Sequence, residues 1–155
     1  SISDLDIIKL PSPKCLEIII IRPNIEIKTS DSRSVVKKKV KIEKMVQQSA
    51  NLGAFISSLY SEDFDLMSRS VVDEIVEPDR SMLIPEFESI KKISTESGAL
   101  SCGISGSGPS VFALSNNSKT SKIIIDNICS HLDNVSIDYD AFISKVNPKG
   151  IKILD

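Results

Sequence analysis

Gly98-Ala99-Leu100-Ser101-Cys102-Gly103-Ile104-Ser105-Gly106-Ser107-Gly108-Pro109-Ser110-Val111-Phe112-Ala113-Leu114 carries four of the six glycines in a chain of 155 residues. Glycine reaches positive φ at little steric cost and lets another group approach the backbone closely. Gly103, Gly106 and Gly108, with Ser105 and Ser107 between them, therefore suggest a backbone that wraps something. Successive N–H groups in such a turn form an anion-binding concavity. The same residues also fit a plain hairpin, Leu100–Ile104 and Ser110–Leu114 joined by a glycine turn that binds nothing. The stretch is not a Walker A loop, since no Gly-Lys-Ser/Thr follows, and its glycine order differs from the dinucleotide fingerprint.

The elements on either side set the architecture. Before the stretch, Phe87, Ile90 and Ile93 form the buried stripe of a helix over Pro85–Ser97, with Pro85 at its first position and Gly98 at its C-terminal cap. After it, Ile124, Ile125, Ile128 and Leu132 share one face of a helix over Ser118–Leu132. Val135–Val146 then reads as a strand, and Asn147–Gly150 as a turn into a last strand, Ile151–Leu154. Near the start, Leu16–Ile21 holds four consecutive isoleucines and reads as a central strand buried on both faces. Ile7–Leu10, closed by Pro11 and Pro13, reads as a short edge strand. Ile42–Tyr60 is the strongest helical pattern, interrupted by the polar Gln48, Ser49 and Asn51. Phe64, Met67, Val71, Val72 and Ile75 form a second stripe, joined to it as a hairpin through Ser61-Glu62-Asp63. The order of elements predicts one α+β domain over residues 1–155, a sandwich with helices covering one face of a mostly antiparallel sheet.

Composition excludes several classes. The net charge is −2, and the basic run Lys37-Lys38-Lys39 with Lys41 has no aromatics among it, so it reads as a solvated face and not a nucleic-acid site. The longest apolar run, Ile18–Ile21, is far too short to span a membrane. Cys15, Cys102 and Cys129 are widely spaced and form no C-x-x-C pair, which argues against a disulfide framework or a metal site and for reduced thiols in the cytoplasm. His131, the one histidine, reads as a surface residue on a helix.

Two arginines stand out. Thr29, Ser30 and Asp31 are N-cap types, so a helix is expected to begin there and run through Val36, with Arg33 in its first turn. A cation at the positive end of a helix dipole is unfavourable unless both face an anion; the alternative is a solvated surface arginine. Arg80 lies in a proline-bracketed connector, Val76–Pro85, and is a candidate anion clamp, because guanidinium binds carboxylate bidentately.

Gly103-Ile-Ser-Gly-Ser-Gly-Pro-Ser110 followed by Val-Phe-Ala-Leu closely resembles the third motif of the GHMP kinase superfamily. Ile27-Lys-Thr29-Ser-Asp-Ser-Arg33, Asn51-Leu-Gly-Ala-Phe-Ile56, Glu77-Pro-Asp-Arg80, Leu83-Ile-Pro85 and Gly98-Ala99 occur in the order expected of its homoserine kinase branch. The resemblance covers about Lys14 to Asp155 and implies the carboxy-terminal domain of that family, with a ferredoxin-like fold. It implies ATP-dependent phosphoryl transfer to the hydroxyl of L-homoserine, a step in threonine biosynthesis. Arg33 and Arg80 match the arginines that hold the homoserine carboxylate, and Thr29 the threonine near the substrate hydroxyl and transferred phosphoryl group. The loop over Gly103, Ser105, Gly106, Ser107 and Gly108 would support the phosphate loop of the other half. Some family members carry histidines where this chain has Gln48 and Asn51, so the resemblance implies no role for those two.

The family's P-x-x-x-G-L-G-S-S-A loop, its K-x-N motif and its Mg²⁺ ligands have no counterpart in these residues. The expectation is an amino-terminal ATP-binding domain outside this chain, ATP and Mg²⁺ held mainly there, and no activity from this half alone. Other readings are another GHMP small-molecule kinase, a regulatory amino-acid-binding domain, or a homodimer formed through the sheet edge.

Overall fold

The computed structural model describes residues 7–150. Its centre is β1 (Glu17–Pro23), hydrogen-bonded on both sides. With β2 (Ser101–Ile104), β3 (Val111–Ser115) and β4 (Tyr139–Lys145) it forms a sheet in the order β2-β3-β1-β4. Every pairing is antiparallel, and Ile19 stands opposite Ala113 on one side and Ile143 on the other. The chain passes from β1 to β2 across β3, and from β3 to β4 across β1. That is the split β-α-β arrangement of ferredoxin-like folds, so the expected α+β class holds.

Alternation along β1 separates two cores. Ile19 and Ile21 face α5 (Phe87–Glu96) and α6 (Ser118–Asn134), packing with Phe87, Ile90, Ile124 and Ile128. These two helices form the second layer of the sandwich. Ile18 faces the other way, half-buried, towards a smaller cluster with Leu114, Leu59 and Met67. Leu59 and Met67 belong to a hairpin of α2 (Ile42–Ser61) and α3 (Phe64–Ser70), so part of the second sheet face is covered as well. Asp63 caps α3 by accepting the Leu66 N–H at 2.9 Å.

Several boundaries differ from expectation, each for a tertiary reason. Ile7–Leu10 forms no strand: both sides of β1 are already taken, and Ile7 and Ile8 are exposed. The Ile151–Leu154 strand lies outside the described residues. The second stripe helix stops at Ser70 because its next carbonyls are claimed elsewhere. Ser101 Oγ donates to Val71 O at 2.7 Å and Asn51 Nδ2 to Val72 O at 3.2 Å. Pro85 lies in a turn after the 3₁₀ segment Ser81–Leu83, and the helix starts at Phe87. Glu86, at φ 57°, precedes it; its carboxylate accepts from Ser89 Oγ and lies 2.9 Å from His131 Nε2. His131 thus ties α6 to the start of α5. Gly98, at φ 93°, ends α5 as expected: its N–H donates to Thr95 O and that of Ala99 to Ser94 O, a Schellman cap.

Ile128 is fully buried between α6 and the sheet. Truncation there removes transfer energy and leaves a cavity. Ile128→Ala is expected to lower unfolding stability by about 2–5 kcal/mol, read as a lower urea midpoint with an unchanged slope.

Candidate functional site

The β2–β3 hairpin turn, α4 (Glu77–Arg80) and α1 (Thr29–Ser34) meet at one end of the molecule. The join is the Arg80 side chain. Its Nε donates to Ser32 O at 3.0 Å and an Nη1 hydrogen to Gly106 O at 3.2 Å. Ser32, fully buried, sends its hydroxyl to Ser107 O at 2.9 Å. The glycine turn therefore presents carbonyl oxygens to these donors. Inside it, Ser105 N–H bonds Ser110 O and Gly108 N–H bonds Ser105 O. The turn is braced as a hairpin more than it is opened as an anion cradle.

Glycine is required here for two reasons. Gly106 and Gly108 sit at φ 64° and 79°, where a side chain is strained. Gly103 has ordinary φ, but a Cβ on it would lie 2.9 Å from Glu77 Oε2 and 3.2 Å from the Phe112 ring. Strand β2 thus passes directly against the Glu77 carboxylate.

The hairpin, α4 and α2 enclose a cleft of about 360 Å³. Arg80, Glu77, Gly103 and Gly106 line it, together with Gln48 and Asn51 of α2 and Asp73 of the loop after α3. Sequence reasoning left out Gln48, Asn51 and Asp73 as site residues. Gln48 Oε1 accepts the Glu74 N–H at 2.8 Å, and Asn51, itself bonded by Gln47, holds Val72 O. Asp73 Oδ1 accepts the N–H groups of Ile75 and Val76. For Gln48 and Asn51 the signal was the polar break in the apolar stripe of α2, which marks a wall of the cleft; Asp73, in the loop after α3, carried none.

Thr29 and Arg33 stand apart from that wall. Both are exposed on α1, one turn apart on the same face, and neither lines the cleft. The helix begins at Thr29 as expected, but its cap and its end differ. Lys28 is the N-cap residue, and α1 ends at Ser34 because Lys37 N–H donates to Asp79 Oδ2 at 3.0 Å, pulling the chain out of helix. Arg33 therefore lies in the last turn, where a cation suits the dipole, and is not part of a helix N-terminal anion site. Among the described residues it has no hydrogen-bond or ion-pair partner.

The charges are arranged unequally. Asp79 pairs with Lys37 Nζ at 3.1 Å, and Glu77 pairs with Lys91. Arg80, which follows these neutralised acids in α4, has no carboxylate partner among the described residues. Three of its five N–H groups remain available, enough for a bidentate contact. Burial pushes the thiol of Cys102, next to Gly103, up to about 11, which disfavours the thiolate. The cleft carboxylates are already engaged, and among the described residues no cluster of three His, Cys, Asp or Glu could hold a metal. This donor set fits an anionic group on Arg80, not Mg²⁺. No helix of the described residues is long and apolar enough to cross a membrane.

Residues 42–134 match the family described as GHMP kinases C terminal. The chain belongs to the GHMP kinase family. Homoserine kinase of Chlorobium phaeobacteroides is 37% identical over 156 residues, an alignment covering 99% of this chain and 49% of that protein. The crystal structure of homoserine kinase from Cytophaga hutchinsonii is 41% identical, with a TM-score of 0.93, over 97% of this chain and 48% of that one. L. major mevalonate kinase, solved in complex with R-mevalonate, shares the fold at a TM-score of 0.63 and 13% identity, over 88% of this chain and 44% of that one. The GHMP chain described here spans about half the length of the curated relatives it matches.

The Asp79 carboxyl is held below its ordinary range, chiefly by the Lys37 N–H and then by the Lys37 side chain. A carboxyl lowered on folding stabilises the fold at neutral pH, and that contribution is lost as the pH falls through the lowered value. The stability gap between wild type and Asp79→Asn is therefore expected to be widest near neutrality. Thermal melts from about pH 7 down to about pH 3 should show it closing.

Proposed function

We propose that this chain is the substrate-binding half of an ATP-dependent homoserine kinase, acting in the cytoplasm in threonine biosynthesis. The observation that carries the reading is Arg80: a cation fixed by two carbonyls at the wall of a cleft, on a helix whose acids are already paired with lysines. Homology to homoserine kinases along nearly the whole chain supports the choice of substrate.

In this reading the half supplies position and charge, which dominate phosphoryl transfer. The outer N–H groups of Arg80 take the carboxylate of L-homoserine, and Arg33 closes on it from α1. Thr29, one turn from Arg33, offers its hydroxyl near the substrate oxygen. The glycine turn, braced by Arg80 and Ser32, supports the phosphate loop of an amino-terminal ATP-binding half. ATP and Mg²⁺, held by that half, supply the phosphoryl group and its charge neutralisation; no ligand for Mg²⁺ is assigned to these residues.

Steady-state assays on the longer protein test the substrate. L-homoserine is expected to be preferred over mevalonate and galactose, and the reverse order overturns the reading. Loss of a charge-assisted bidentate contact costs about 1.5–3 kcal/mol. Arg33→Ala and Arg80→Ala should each raise KM for homoserine by about 10- to 100-fold. Arg80→Lys, which keeps the charge but not the fork, should fall between. The 155-residue chain by itself is expected to release no ADP above background with ATP, Mg²⁺ and homoserine.

A further inference from the structure

We propose that the uncharged flank of α2 is the surface on which the nucleotide-binding half docks; this rests on the function proposed above. From Met45 to Ser61 the helix carries no charged residue. Ile42, Met45, Val46, Leu52, Ile56 and Tyr60 recur at helical spacing and share one flank. Val46 is 61% exposed, Leu52 58% and Tyr60 64%. A surface helix ordinarily turns its apolar stripe to the core and its charges to water. Here the buried residues are Asn51, Ser58 and Leu59, and this apolar flank, apart from the half-buried Ile56, faces outward.

Gly53 adds a second, independent observation. It lies mid-helix on the same flank, where glycine lowers helix stability. A Cβ there would meet nothing within 4 Å, so no contact inside this chain requires its absence. A missing side chain at that point lets a neighbouring backbone come close.

The choice of occupant follows from position. Leu52 belongs both to the flank and to the lining of the cleft, beside Gln48 and Phe55. The flank is thus continuous with the cleft rim, and a domain that delivers a phosphoryl group into the cleft must meet that rim. Relatives about twice the length of this chain contain enough further chain to form such a half.

Cysteine labelling in the longer protein tests this. Val46→Cys and Tyr60→Cys, both exposed in this chain, report on the flank, and Lys122→Cys, exposed on α6, is the reference. Each variant is treated with N-ethylmaleimide and the modified site is quantified by mass spectrometry. Positions 46 and 60 are expected to react at least about tenfold more slowly than position 122, with the ratio unchanged over a hundredfold dilution. If either reacts as fast as position 122, the docking surface is wrong. Protection that disappears on dilution, together with a dimer by light scattering, assigns the flank to a second copy and also overturns the proposal. Homoserine kinase activity is read separately: activity with fast labelling sinks only the docking surface, and protection without activity on homoserine sinks only the functional reading.

Discussion

The Arg80 guanidinium, held by the carbonyl oxygens of Ser32 and Gly106, joins three segments that are remote in sequence. Without it α1 would be tied to the glycine turn by the Ser32 hydroxyl alone. A half-buried cation has lost part of its hydration, which is unfavourable unless other groups replace water. Two carbonyl dipoles do so in part but bring no negative charge. The result is a positive potential fixed in direction, available to an incoming anion without further rearrangement.

The acids around it are arranged so that this potential survives. Glu77 and Asp79 both precede Arg80 in α4, and either could have quenched it. Each is taken instead by a lysine from another element, Lys37 from the chain after α1 and Lys91 from α5. The same two pairs are structural ties: one ends α1, and the other sets the Glu77 carboxylate against Gly103. Stability and electrostatics at the cleft therefore depend on the same side chains.

Much of this was legible in the sequence, and the failures share a cause. The isoleucine run, the glycine hairpin and the amphipathic stripes of α5 and α6 carry local periodic signals, and they gave the α+β class and the central place of β1. Arg80 was legible because prolines bracket it. What escaped were features decided by distant partners. The early end of α1 depends on Asp79, 42 positions from Lys37. The end of α3 depends on Asn51 and Ser101. Gln48 and Asn51 looked like flaws in a helix stripe because a stripe says which face is apolar and not what lies across from a polar break. Arg33 was expected in the first turn of a helix running to Val36, and the end of α1 at Ser34 puts it in the last turn.

The position of β1 has a consequence for how the chain comes to be folded. Ile19 pairs with residues 113 and 143, so the central strand finds no neighbour until most of the chain exists. At synthesis rates of about 5–20 residues per second, the isoleucine run waits for several seconds without a partner. Pairings so far apart in sequence must close large loops before any contact repays them, which slows folding. Four adjacent isoleucines, apolar and of high β-propensity, are also adhesive while unpaired. The residue run that best specifies the sheet is thus the one most in need of protection while the ribosome is still at work.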